Sequence, residues 1–390
     1  MLESLRDAAG QQWLPLSLAA RLAPAVALLA MCSAFARAAQ DDEAWRKLAP
    51  FFSTPPEFAG KMGGYRSPLL FDDGRRVENE KQWRERREQI LRYWHKTMGE
   101  WPQLIEKPSI EYLSKERVDD LTRHKVRIEL GPQRLRDAYL LVPDGKGPFP
   151  AVLVVYYDPE TGAGLKPETK LRDFGLQLAR RGFVALSMGD PGSDGKIQPL
   201  SHLAYCAANA CNILANLPEV DAKRIGVVGH SFGGKWAMFA SCLYERFACA
   251  CWCDPGVVWN EKDPNANYWE KWYLGLEPGK DRKPGIPSDE NPRTGAYRSL
   301  VEAGRDMQEL HALMAPRPFL VSGGAQDRPE HWTALNHAIA VNRLLGREER
   351  VGMTIRDGHS PTEESNAQIY AFFEHFLKGG PEARGAGGNR

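Results

Sequence analysis

From about residue 120 onward, apolar positions recur in two alternating rhythms. "HKVRIEL" alternates, with Val126, Ile128 and Leu130 on one face, and predicts a half-buried strand; "DAYLLVP" reads as its antiparallel partner. "FPAVLVVYY", Phe149 to Tyr157, is apolar without interruption, as a strand buried on both faces requires. Helical and strand periods then alternate. "LRDFGLQLARRG" leads to "FVALSMG", "LAYCAANACNILANL" to "RIGVVGH", and "KWAMFASCLYERF" to "ACACWC". "PRPFLVSGG" leads through "HWTALNHAIAVNRLLG" to "RVGMTIRDGH", and "EESNAQIYAFFEHFL" closes the series as an amphipathic helix. The alternation predicts an α/β fold, a doubly wound and mostly parallel sheet with helices on both faces.

Two segments stand outside that rhythm. Residues 43–105 read as an N-terminal helical cap. In "NEKQWRERREQILRYWHKTM", Asn79 is placed as N-cap with Gln82 three residues on, and Trp83, Ile90, Leu91, Trp94 and Met98 form one apolar stripe. Residues 255–298 are rich in Pro, Gly, Asn and aromatics and separate two strands; an insertion of that length in a compact domain reads as a lid. The α/β domain is expected over 106–380, and the Gly-rich residues 381–390 are expected to be a disordered tail. Upstream, Arg21 precedes the apolar run Leu22–Ala36, and small residues follow at signal-peptidase spacing. Residues 1–38 are therefore expected to be a signal peptide. The run is too short for a comfortable membrane span, so the mature protein is expected to be periplasmic or secreted with no span.

Charge narrows the partners. Lys and Arg number 51 against 50 Asp and Glu, so no basic footprint for nucleic acid exists. Eleven Trp point instead to a binding face. Cys249, Cys251 and Cys253 fall on one strand face and read as buried packing, whereas Cys206, Cys211 and Cys242 offer a disulfide in an exported protein. No C-x-x-C pair or His cluster accompanies them, so no zinc site is expected, and the candidate chemistry below requires neither metal nor cofactor.

The candidate chemistry lies in Gly229-His230-Ser231-Phe232-Gly233, a G-x-S-x-G turn between the strand "IGVV" and the helix "GGKWAMFAS". Such a turn pushes the serine hydroxyl above the sheet, and bulky residues two before or two after would collide with its flanks. Where a G-x-S-x-G turn between strand and helix carries the nucleophile, the acid and the histidine follow the serine in that order. His359, in the loop after the last strand, is the expected base for Ser231. Asp327, in the loop after "LVSGG", is the expected acid, with Asp254 at the end of "CWCD" as the alternative. The oxyanion donors are expected to be the N–H groups of Phe232 and Tyr157. Lys235 stands one helical turn beyond Ser231, as a substrate contact or as an internal ion pair with Asp254 as its nearest candidate partner. Trp259, Trp269 and Trp272 are either flat apolar faces for a ligand or lid packing.

The segments "GHSFGGKWAMFAS", "DMQELHALMAPRPFLVSGGAQD" and "DGHSPTEESNAQIYAFFEHFL" make the chain resemble an α/β-hydrolase of the esterase branch over roughly residues 120–380. It is similar to bacterial acetyl xylan esterases, dienelactone hydrolases and glucuronoyl esterases. That resemblance implies a serine esterase acting on a small or polysaccharide carbohydrate ester. Glucuronoyl esterases carry G-C-S-R-x-G-K; here Gly229, Ser231, Gly234 and Lys235 match, while His230 and Phe232 replace the Cys and the Arg. Enzymes of that family often take the acid from the position of Asp254. The competing readings are a peptidase of the prolyl oligopeptidase type and a non-catalytic binding protein on the same fold.

Overall fold

The computed structural model describes residues 43, 45–263, 268–280 and 285–379. The expected signal peptide, Cys32 and the expected tail lie outside the described residues. All that follows concerns the unit that begins at Ala44.

Nine strands form one sheet: β1 (Ile110–Val118), β2 (Leu121–Gly131), β3 (Arg134–Pro143), β4 (Phe149–Val155), β5 (Val184–Met188), β6 (Val220–His230), β7 (Cys249–Cys253), β8 (Phe319–Gly323) and β9 (Val351–Ile355). Their spatial order is β1-β2-β3-β5-β4-β6-β7-β8-β9. β1, β2, β3 and β5 pair antiparallel in sequence, and every pairing from β5 through β4 to β9 is parallel. The expected hairpin is β2–β3, with Val126 opposite Ala138. β1 was not marked by the hydrophobic pattern, because most of its side chains are exposed.

The central strands divide their side chains between two cores. Ala151, Leu153 and Val155 of β4 enter one core, and Val152 and Val154 enter the other. That division explains the continuous apolar run, since neither face of β4 meets water. On β7 the same alternation puts Ala250 and Trp252 on one side and Cys249, Cys251 and Cys253 on the other, beside Phe372 and Phe373. All six described cysteines are buried and free. Cys206, Cys211 and Cys242 therefore form no disulfide with one another, contrary to the possibility that export left open. Burial pushes the Cys206 and Cys211 thiols up to about 12, which leaves them inert packing groups.

The longer helices are α1 (Glu80–Met98), α2 (Phe174–Arg180), α3 (Pro199–Asn216), α4 (Phe232–Leu243), α5 (Gly295–Glu302), α6 (Trp332–Leu344) and α7 (Glu363–Phe373), and two short ones span Pro159–Gly162 and Gln308–Ala312. α1 starts where its cap predicts: the Asn79 side chain accepts the Gln82 N–H, and Gln82 Oε1 accepts the Glu78 N–H. Trp83, Ile90, Trp94 and Met98 are buried as expected, while Leu91 is only partly so. Arg86 joins the buried face, paired with Glu309 and Asp72, and Trp94 Nε1 also donates to Glu309. Residues 53–79 are turns and irregular chain, not helix.

Candidate active site

The turn between β6 and α4 is built by glycines. Ser231 has φ +59°, a conformation that side chains rarely adopt. A Cβ on Gly229 would lie 2.2 Å from the Gly233 carbonyl oxygen, and one on Gly233 would lie 2.1 Å from that of Val155. A Cβ on Gly234 would approach the Cys253 oxygen to 2.7 Å. Glycine is thus required at all three positions for helix, turn and neighbouring strands to close together. The Ser231 N–H is held by the Cys253 carbonyl at 2.8 Å, which ties the turn to β7.

His359 Nε2 lies 2.8 Å from Ser231 Oγ, and His359 Nδ1 lies 2.5 Å from Asp254 Oδ2. The acid at the histidine is therefore Asp254 and not Asp327, against the preference drawn from chain order. The physical reason is a reciprocal clasp between the loops after β7 and β8. Asp254 Oδ1 accepts the N–H groups of Gln326 and Asp327, each at 3.0 Å, which leaves Oδ2 aimed at the imidazole. The Asp327 carboxylate faces the other way. It accepts the N–H groups of Gly256 at 2.8 Å and Val257 at 2.6 Å, and lies 3.3 Å from His331 Nδ1. Burial raises the Asp327 pKa, but His331 and the two N–H donors overcome it and hold the carboxyl below its ordinary value. Asp254 reaches its position through φ +49° at the strand end.

Lys235 is buried. Its Nζ donates to Gly256 O at 2.6 Å and to the Tyr268 hydroxyl at 3.0 Å, and stands 4.2 Å from the centre of the Tyr268 ring. Burial pushes the ammonium down to about 7, against the pull of Asp327, Asp306 and Asp254. The expected ion pair to Asp254 is not the contact formed. Lys235 and Asp327 instead hold the Gly256–Val257 peptide group from its two sides, Lys235 at the Gly256 carbonyl and Asp327 at the Val257 N–H.

Ser231, Asp254, Lys235 and His359 line an open cleft of about 430 Å³ with Tyr157, Trp272 and Tyr273. Trp272 stacks on Tyr273 at 4.1 Å and remains 45% exposed. The other two tryptophans are not at the cleft. Trp259 packs edge-on to Tyr297, and Trp269 is fully buried beside the same ring. Of the three, only Trp272 lines the cleft; Trp259, partly buried, and Trp269 pack against Tyr297 instead. Two anchors fix that wall: Gln198 exchanges hydrogen bonds with the Leu276 backbone, and the Leu200 N–H bonds the Tyr273 carbonyl.

The Tyr157 ring lies parallel to that of Phe232 at 4.7 Å. With Gly233 against the Val155 carbonyl, the end of β4 and the first turn of α4 share one edge of the serine. The start of a helix brings its free N–H groups and positive dipole end to that edge. Two residues that sequence reasoning left unassigned also join the site. His230 Nε2 and Arg356 Nη2 both reach the carbonyl oxygen of His359, at 2.8 Å and 2.7 Å. The only signal for His230 was its place beside the serine. Among the described residues no cluster of His, Cys, Asp and Glu could hold a metal ion, and no helix is long and apolar enough to cross a membrane. A serine hydroxyl, an imidazole and a carboxylate in series can activate an oxygen nucleophile without any added group.

Residues 162–372 match the alpha/beta hydrolase family. No curated protein matches the sequence. Among solved structures, a glucuronoyl esterase from Solibacter usitatus is similar at 19% identity and TM-score 0.63, over 82% of this chain and 97% of that one. A glucuronoyl esterase from Sporotrichum thermophile, solved with methyl 4-O-methyl-β-D-glucopyranuronate, is similar at 20% identity and TM-score 0.53, over 84% and 90%. A putative acetyl xylan esterase from Bacteroides fragilis is similar at 16% identity and TM-score 0.51, over 79% and 80%. At these identities the likeness is one of fold, and it matches the relatives that the motifs suggested.

Proposed function

The chain belongs to the alpha/beta hydrolase family, and from that premise we propose that it is a serine esterase that hydrolyses esters of carbohydrates. The observation that carries the proposal is the unbroken series Ser231 Oγ, His359 Nε2, His359 Nδ1, Asp254 Oδ2. Ser231 attacks the ester carbonyl while His359 takes its proton. Asp254 holds the imidazole in the tautomer that leaves Nε2 free to accept, and stabilises the imidazolium that forms. His359 then protonates the leaving alcohol. Water, activated by the same imidazole, cleaves the acyl-enzyme. The N–H groups of Phe232 and Tyr157 are the proposed oxyanion donors, supported by their shared edge at the serine.

For the substrate, the exposed face of Trp272 and the Tyr157 ring are proposed to bear a sugar ring. Lys235 is proposed to shape this subsite through the Gly256 turn. The sugar assignment draws support from the carbohydrate esterases among the structural neighbours. Phe232 stands where glucuronoyl esterases carry an Arg, so both a glucuronoyl ester and an acetylated sugar belong to the proposal. The division into an N-terminal segment, a catalytic domain and an inserted lid is part of the same reading. So is export, for which the Leu22–Ala36 run speaks.

The test is hydrolysis of methyl glucuronate ester, acetylated xylose and p-nitrophenyl acetate by the purified protein, with fluorophosphonate labelling mapped by mass spectrometry. Turnover of at least one sugar ester with label on Ser231 is expected. No turnover of any ester and no label would sink the proposal.

A further inference from the structure

His230 ends β6, opposite Cys253 in the sheet, and is almost fully buried. Its Nε2 meets the main-chain carbonyl oxygen of His359 at 2.8 Å, and the two imidazole rings lie 4.7 Å apart. A carbonyl oxygen only accepts, so Nε2 carries the proton and Nδ1 is bare. The same oxygen takes a second hydrogen bond from Arg356 Nη2. Arg356 is itself fixed, with Nη1 on the Ser322 and Gly323 carbonyls and Nε on that of Ser360. The side chain of His359, by contrast, is 39% exposed on a loop.

We propose that His230 is a positioning residue for the base: with Arg356 it clamps the His359 carbonyl, and so fixes the imidazole between Ser231 and Asp254. The proposal rests on the reading of those three residues as the catalytic set. What makes His230 suited to the task is its place in the chain. It is the immediate neighbour of Ser231, so a bond from its ring to the His359 backbone links nucleophile and base by the shortest covalent route. A shift of the loop that carries the His359 backbone away from the serine then works against that bond and the one from Arg356. Proton transfer is steep in this distance, and an offset of an ångström is costly.

A histidine beside the base is useful only while uncharged, because a second imidazolium would oppose the one formed on His359 as Ser231 loses its proton. Burial keeps it neutral. With His359, Arg172 and Arg356 as the charged or titratable neighbours and the Tyr156 ring nearby, His230 is lowered to about 3. Over the working range of an esterase it is a constant donor and no second titration.

The experiment compares His230→Leu, which removes the donor, with His230→Gln, which keeps an N–H near the position of Nε2. The readouts are kcat and KM on p-nitrophenyl acetate, the pH profile of kcat, and the melting temperature. The Leu variant should lose on the order of 10- to 100-fold in kcat, with KM changed by less than about twofold, as expected for a displaced catalytic group. The Gln variant should regain most of the loss. The acid limb of the profile should stay at its wild-type midpoint in both, since no charge was removed. If the Leu variant does not fold, His230→Ala carries the same expectation. A folded Leu or Ala variant with wild-type kcat overturns the clamp, and so does a Gln variant as impaired as Leu. Wild-type protein inactive on every ester would overturn the esterase reading and the clamp with it, whereas an active wild type confines the failure to the clamp.

Discussion

Replacing Asp254 by Asn should cost far more rate than replacing Asp327 by Asn, and the hydrogen bonds around each side chain say why. In Asp254 one oxygen accepts two backbone N–H groups, from Gln326 and Asp327, and the other faces His359 Nδ1. An Asn has a single acceptor oxygen. If it stays on the two N–H groups, its NH₂ points at Nδ1. The histidine must then carry its proton on Nε2, facing Ser231, where it can no longer accept one. Turning the amide over would restore the tautomer but would set its NH₂ against two buried N–H groups, at about 1–3 kcal/mol for each donor left unsatisfied. The wrong tautomer is therefore the stable one. A substitution of this kind in serine proteases lowers kcat about 10⁴-fold, and a similar loss, about 5.5 kcal/mol of transition-state stabilisation, is expected here.

In Asp327 each oxygen accepts one backbone N–H, and neither oxygen bonds the imidazole of His359. Asn there loses one bond to a charged acceptor, about 1.5–3 kcal/mol, and the loss falls on the stability of the 256–257 turn. The sign with pH follows from the lowered carboxyl. The stability Asp327 contributes is present above its unfolded pKa and is lost as the pH falls through the folded one. The assay is kcat on p-nitrophenyl acetate together with melting temperature for both variants. A loss in Asp327→Asn of no more than about tenfold in kcat, about 1.4 kcal/mol, with a lower melting temperature, is expected. An Asp327→Asn protein that stays folded and is as slow as Asp254→Asn would refute the reasoning, as would an Asp254→Asn protein with near wild-type kcat.

Three further outcomes follow from the same geometry. Ser231→Ala should fold normally, lose fluorophosphonate labelling, and lose on the order of 10³-fold or more in kcat; retained activity would show another nucleophile. Gly229→Ala places a Cβ at 2.2 Å from the Gly233 oxygen, so the turn cannot close, and soluble expression with native circular dichroism is not expected. Lys235 is lowered to about 7, so between that pH and its unfolded value near 10.5 the unfolded chain binds more protons than the folded one, and stability rises with pH across this window. Lys235→Met should flatten that rise in melting temperature, and an unchanged slope would mean the lysine stays charged where it is.

Much of the framework could be read from the chain because it rests on burial. The unbroken run of β4 and the alternation of β7 both reflect a sheet covered on two faces, and the two cores receive alternate residues as the period requires. The stripe on α1 was legible for the same reason. Arg86 was not, because its burial depends on Glu309 and Asp72, far away in sequence. β1 escaped notice because its exposed side chains leave no hydrophobic period. The cleft tryptophans show the limit most plainly. Composition marked the insertion as aromatic, but which ring faces outward is decided by Tyr297, which packs against both Trp259 and Trp269 and leaves Trp272 at the cleft.

The acid shows why spacing alone cannot assign a site. Both Asp254 and Asp327 lie beyond the ends of adjacent parallel strands, β7 and β8, and both lie between serine and histidine in the chain. What separates them is one oxygen. The loop after β8 satisfies Oδ1 of Asp254 with two N–H groups and so frees Oδ2, whereas the turn after β7 and His331 occupy both oxygens of Asp327. Each carboxylate is held by the other's loop, so neither can be swapped for the other without remaking both turns. The same clasp answers for Lys235. Its nitrogen bonds the Gly256 carbonyl, and the N–H of that same peptide group, which belongs to Val257, is held by Asp327. A cation one turn past the nucleophile thus reaches the site through the loop that positions the acid. Moving the acid by a strand in such a site would require a new partner for Lys235 as well, which ties the choice of Asp254 to a residue on the helix that begins at the serine.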